Sequence, residues 1–139
     1  MRSPPSWRRS GRGPPAPRRS GLHAAVEGLA TRMPLPVEID VTDRRLPAAV
    51  EATAYFVVAE ALTNVAKHSG ASHASVVARV QDRTLEVRVR DNGVGGARRD
   101  GSGFVGLADR LAVLDGELRV ESPPGDGTIV VAKIPLDGH

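Results

Sequence analysis

The sequence contains no cysteine, which excludes disulfide staples and thiolate-bound metals. No apolar run comes near the roughly 18 residues that a membrane span needs, so no part of this chain is expected to cross a bilayer. No internal repeat is present. Residues 1–20 hold no acidic residue and offer only Trp7 as a large apolar side chain. They also lack the apolar core of a secretory signal, despite the Arg8–Arg9 pair.

Those residues do contain six arginines and five prolines. A stretch with so little apolar surface cannot offset its ordering entropy, so residues 1–20 are expected to be a disordered, solvated tail. The tail also explains the basic pI of about 10.2. Without its six arginines, 13 of the 19 basic residues face all 16 acidic ones, and residues 21–139 carry −3. That balance argues against nucleic acid as the partner of the folded part. The whole chain of 139 residues is one domain's worth, and its 40% apolar and 25% charged content is that of a soluble globular protein.

From Gly21 the pattern is regular. Leu22, Val26, Leu29 and Met33 recur at helical spacing, closed by Pro34 and Pro36. Residues 36–41 alternate as a strand. Pro47 suits the first turn of a second, long helix, with Val50, Ala54, Val57 and Ala61 in one apolar row and Val58, Leu62 and Val65 beside it. Gly70 is placed to cap it in the left-handed conformation. Residues 74–80 and 84–91 alternate and predict an antiparallel hairpin with one wet face. A glycine-rich loop, 92–103, leads to a short helix expected from Val105 or Gly106 to Leu114. Strands over 117–122 and 128–135 close the domain. The order αβαββαββ predicts an α+β, two-layer sandwich: a mixed, mostly antiparallel sheet with about three helices on one face. The domain is expected to span residues 21–136, followed by a C-terminal tail, 137–139.

Three features carry chemistry. On the long helix, Glu60, Asn64 and Lys67 follow at spacings of four and three, which stack side chains on one helical face. Polar groups on an otherwise apolar helix are costly unless paired. Asp91 continues the inward row of Leu85, Val87 and Val89, so its carboxylate points toward the apolar side. Gly93 and Gly95 then leave room for a flat ligand, although Asp-Asn-Gly is also ordinary turn chemistry. Finally, Gly101-Ser-Gly103-Phe-Val-Gly106-Leu107 runs into a helix start, where backbone amides favour anions. This run lacks the Lys-Ser/Thr ending of a P-loop and follows no dinucleotide-type unit.

Together the motifs resemble those of the histidine-kinase-like ATPases of the Bergerat fold (the GHKL group). More narrowly, they are similar to the ATP-binding catalytic domain of two-component sensor kinases of the NarX/DesK type. Glu60-Ala-Leu-Thr-Asn64-Val-Ala-Lys67-His68-Ser matches the N box of that family, and Asp91-Asn-Gly93-Val-Gly95-Gly its G1 box. The 101–107 run matches the G2 box, and Gly125-Asp-Gly127-Thr128 the closing motif. The resemblance covers residues 21–136 and implies a site for ATP and Mg²⁺. Asn64 would ligate Mg²⁺, and Glu60 would orient a metal-bound water or act as base. Lys67 and His68 would meet phosphate, while Asp91 would read the adenine amino group, with Gly93 and Gly95 closing on the base. Thr128 would reach the same corner. Gly101, Gly103, Gly106 and Leu107 would belong to a lid over the triphosphate and its phosphate-binding amides.

The implied function is to supply the γ-phosphate for protein-histidine phosphorylation in a two-component phosphorelay. The implied partners are a dimerisation and phosphoacceptor domain and, through it, a response regulator. No histidine here stands in an acceptor setting: His23 is expected at the surface of the first helix, His73 precedes a strand and His139 is the last residue. The chain thus looks like a cytoplasmic catalytic half, acting in trans or as a fragment of a longer, possibly membrane-attached, kinase. An anti-sigma-factor serine kinase and a non-catalytic ATP-binding module share the fold. The Asn-Val-Ala-Lys-His-Ser ending and the short loop favour the histidine-kinase branch.

Overall fold

Strand alternation determines which side of this protein is wet. The computed structural model describes residues 21–95 and 102–137; the expected N-terminal tail, most of the lid with Gly101, and His139 lie outside them. In β3 (Thr84–Asp91), Leu85, Val87 and Val89 are buried while Arg88 and Arg90 are exposed. Its hairpin partner β2 (Ala74–Gln81) buries Ala74, Val76 and Ala78 on the same side. The connection is tight, with Asp82 and Arg83 both at positive φ (53° and 59°), the backbone that a two-residue hairpin turn demands.

Around this hairpin the sheet has the order β1-β2-β3-β5-β4. β5 (Thr128–Pro135) pairs antiparallel with β3 along its whole length, placing Asp91 opposite Thr128. β4 (Glu117–Glu121) flanks β5, also antiparallel, and β1 (Val37–Val41) runs parallel to β2 at the other edge. Both edge strands are only five residues long and charged, which limits pairing with other chains. On the outer face, Arg79 pairs with Asp40, Arg88 with Glu86 and Arg119 with Glu121.

Among the described residues, three helices lie over the inner face. α1 (Leu22–Thr31) packs on α2 and β1; α2 (Ala48–Asn64) also touches β3, β5 and α3; α3 (Ser102–Val113) reaches β4. α2 is the centre of the core, burying Val50, Thr53, Ala54, Val57, Val58, Ala61 and Leu62. Its start is held by Glu51, whose Oε2 accepts the Leu46 N–H at 3.0 Å and the Arg45 Nε–H at 3.4 Å. Such a carboxylate satisfies an otherwise free donor at the helix entrance. The two-layer sandwich expected from the element order is what forms.

Two readings need correction. His23 is not a surface residue: it is 4% exposed, because α1 is pressed between α2 and β1 and buries a wider arc than the Leu22–Val26–Leu29 row. Its Nδ1 lies 2.9 Å from Glu27 Oε1 one turn later, near enough for charge pairing but not aligned as a hydrogen bond. The other is α3, which begins at Ser102 rather than at Val105 or Gly106. Phe104 and Leu107, one turn apart and 3% and 2% exposed, anchor that early turn in the core.

Candidate functional site

Of the polar face expected on α2, the Glu60–Asn64 part forms. Glu60 and Asn64 lie one turn apart and half-buried, with Asn64 the last α-helical residue. The chain then widens into a π-helical turn, Val65–Ser69, that carries Lys67 and His68 and ends at Gly70 with φ 64°. π turns depart from α-helical azimuths and recur at functional sites. The widening displaces Lys67 from simple stacking on Asn64. Lys67 is exposed and lines a groove of about 300 Å³ between α1 and α2, with Leu29, Arg32, Met33, Leu62 and Thr63 among its neighbours.

Asp91 ends β3 with its side chain inward and is 7% exposed. Its Oδ1 accepts the N–H of Gly93, itself buried, at 2.7 Å. A buried carboxylate needs such donors. Opposite Asp91, Thr128 is 8% exposed, and its Oγ1 lies 2.6 Å from Ser122 Oγ.

Three segments distant in sequence meet here. Val94 Cγ1 stands 3.9 Å from where a Cβ of Gly70 would be, so the loop after Asp91 touches the end of the α2 extension. The Gly125 N–H donates to the Val94 carbonyl, bringing in the β4–β5 turn. The approach is so close that a Cβ on Gly95 (φ 70°) would collide with the Pro123 carbonyl oxygen, and one on Gly127 (φ 76°) with that of Asp91. These glycines are therefore required by the fold itself, before any ligand enters.

Gly103 and Gly106 sit inside α3, so the free helix-start amides belong to the turn before Gly106. Gly106 is exposed, and a Cβ there would meet no atom within 4 Å. The Leu107 side chain is core, and its N–H, beyond the first turn of α3, belongs to the helix ladder. Among the described residues no three His, Cys, Asp or Glu side chains gather as a metal cage. An Mg²⁺ ion does not require one, because it typically takes one or two protein oxygens plus substrate phosphates and water. The half-buried Asn64 carboxamide fits that use. Among the described residues no helix is long and apolar enough to cross a membrane.

The profile of the "Histidine kinase-, DNA gyrase B-, and HSP90-like ATPase" family matches residues 49–138. The chain belongs to this family. The match runs from α2 to the last strand and so takes in every motif above. Among curated proteins, the chain is 38% identical over 96 residues to the signal transduction histidine-protein kinase/phosphatase DegS of Brevibacillus brevis, covering 66% of this chain and 25% of DegS. It is 32% identical over 124 residues to the nitrate/nitrite sensor protein NarX of Escherichia coli, covering 84% and 21%. A solved blue-light activated histidine kinase of Erythrobacter litoralis superposes with a TM-score of 0.72 at 26% identity, covering 83% of this chain and 40% of that one. The chain therefore spans about a quarter of the curated relatives it matches. The family and fold expected from the boxes are those found.

Proposed function

We propose that this chain binds Mg-ATP and supplies its γ-phosphate to a protein histidine, as the catalytic domain of a two-component sensor kinase. The observation that carries this reading is the meeting, at one end of the sheet, of the α2 extension, the Asp91–Gly95 loop and the β4–β5 turn. Membership of the ATPase family supports it, as does the likeness to sensor histidine kinases.

In this reading the inward Asp91 carboxylate accepts a hydrogen bond from the adenine amino group, and the Gly93 N–H holds it in place. Gly95 lets the backbone close on the base, and Thr128 borders the same corner. The Asn64 carboxamide oxygen would hold magnesium, which would neutralise charge on the phosphate oxygens. Glu60, one turn earlier, orients water at that centre or takes a proton. Lys67 and His68 would meet phosphate from the helix end, and the first turn of α3, with Gly103 and Gly106, would cover it from the other side. Phosphoryl transfer requires mainly positioning and charge neutralisation, so no nucleophile on this chain is needed. The acceptor imidazole nitrogen attacks the γ-phosphorus as the bond to the bridging oxygen breaks and ADP leaves. The acceptor belongs to a dimerisation and phosphoacceptor domain, which passes the phosphoryl group to a response regulator; the setting is cytoplasmic.

The test mixes the purified chain with radiolabelled Mg-ATP and the acceptor-helix domain of a DegS- or NarX-type relative. Acid-labile, base-stable label on the acceptor is the expected result. Label on serine would favour an anti-sigma-type kinase instead. ATP binding without transfer would leave a regulatory nucleotide-binding module.

A further inference from the structure

Asn92 directly follows Asp91 and is exposed, yet its amide group is engaged at both ends. Oδ1 accepts the N–H of Ser72 at 2.9 Å and that of His73 at 3.1 Å, while Nδ2 donates to Ser72 Oγ at 2.8 Å. Two backbone donors converging on one atom require it to be the oxygen, which assigns the amide orientation. The Asn92 N–H adds a longer bond, 3.4 Å, to the His73 carbonyl.

The latched segment is the short link between the π turn, Val65–Ser69, and β2. One end of that link leads to Lys67 and Asn64; the other begins the strand paired with β3, where Ala74 faces Asp91. Asn92 thus joins the adenine-side carboxylate to the phosphate-side helix end through one side chain. An exposed asparagine needs no such partners, because water can serve it, and the Ser72 and His73 amides are at the surface as well. Folding alone does not call for this latch.

We infer that Asn92 is a positioning residue that holds the Asp91 side of the nucleotide site in register with the Asn64–Lys67 helix end. The inference rests on the proposed Mg-ATP site. Its prediction is specific to ligands that bridge both ends: ATP spans them, whereas adenosine occupies only the Asp91 end. An aspartate at this position keeps an oxygen to accept both backbone N–H groups, and the Ser72 hydroxyl can reverse its role and donate to the carboxylate.

The test titrates the native chain, Asn92→Ala and Asn92→Asp with Mg-ATP by calorimetry and with adenosine by NMR, with thermal melting to confirm folding. For Asn92→Ala, ATP affinity is expected to fall about tenfold and adenosine affinity by less than about threefold, as a loss of register between two subsites predicts. Asn92→Asp is expected to recover ATP binding to within about threefold of native. Equal losses for ATP and adenosine, or no recovery in the aspartate variant, would reduce Asn92 to a structural residue and overturn the inference. Native ATP affinity in Asn92→Ala overturns it alone, leaving the nucleotide site standing. If the native chain binds no Mg-ATP, the site and the inference fall together.

Discussion

Gly106→Ala separates what the fold wants from what the ligand wants. Gly106 lies within α3, is exposed, does not have a positive φ, and offers open space where a Cβ would stand. Glycine in a helix interior costs about 0.5–1 kcal/mol relative to alanine. The substitution should therefore stabilise the free protein by that amount, raising Tm by about 2–4 °C in a domain of this size. If the Gly106 surface faces the triphosphate, the added methyl occupies ligand space, and Mg-ATP affinity should fall by about tenfold or more. Gly28→Ala is the control: Gly28 is also helical, exposed and free of Cβ contacts, but lies on α1. It should give a similar rise in Tm with unchanged ATP affinity. Melting and calorimetry on both variants suffice. A stabilised Gly106→Ala protein that binds ATP as tightly as native would refute the placement of the phosphates against α3.

Other expectations follow from the same geometry. Asn64→Ala should abolish Mg-dependent ATP binding and leave Tm within about 3 °C of native, because the half-buried side chain serves the ligand; native Mg-ATP affinity would show that Asn64 is not the metal ligand. Asp91→Asn keeps an oxygen to accept the Gly93 N–H but can no longer offer a carboxylate to the adenine amino group. ATP should bind at least about tenfold more weakly with little loss of stability, and unchanged discrimination between ATP and GTP would count against the contact. Gly127→Ala, by contrast, should be a folding defect. Its Cβ collides with the Asp91 carbonyl at positive φ, and urea unfolding should show a loss of about 2–4 kcal/mol; a loss below 1 kcal/mol, measured the same way, would mean that the turn moves aside freely.

Local chemistry was readable without coordinates. The period of two in 84–91 decided which residues of β3 are buried and aimed Asp91 inward, because a strand has only two faces. The spacing of four between Glu60 and Asn64 placed them on one side of α2, and Gly70 could be assigned its left-handed cap from its residue type alone. The two-layer α+β class followed from element order. Long-range packing decided the rest. No local pattern distinguishes β1 running parallel beside β2 from other placements, or puts β5 between β3 and β4, since register depends on partners far along the chain. His23 is buried because two neighbouring elements close over it. α3 begins early because Phe104 finds a core to enter. The π turn that moves Lys67, the three side-chain bonds of Asn92 and the collision-tight glycines at 95 and 127 exist only where distant backbones meet. Sequence periodicity thus named the groups that can do the chemistry; tertiary contacts decided which of them share a site.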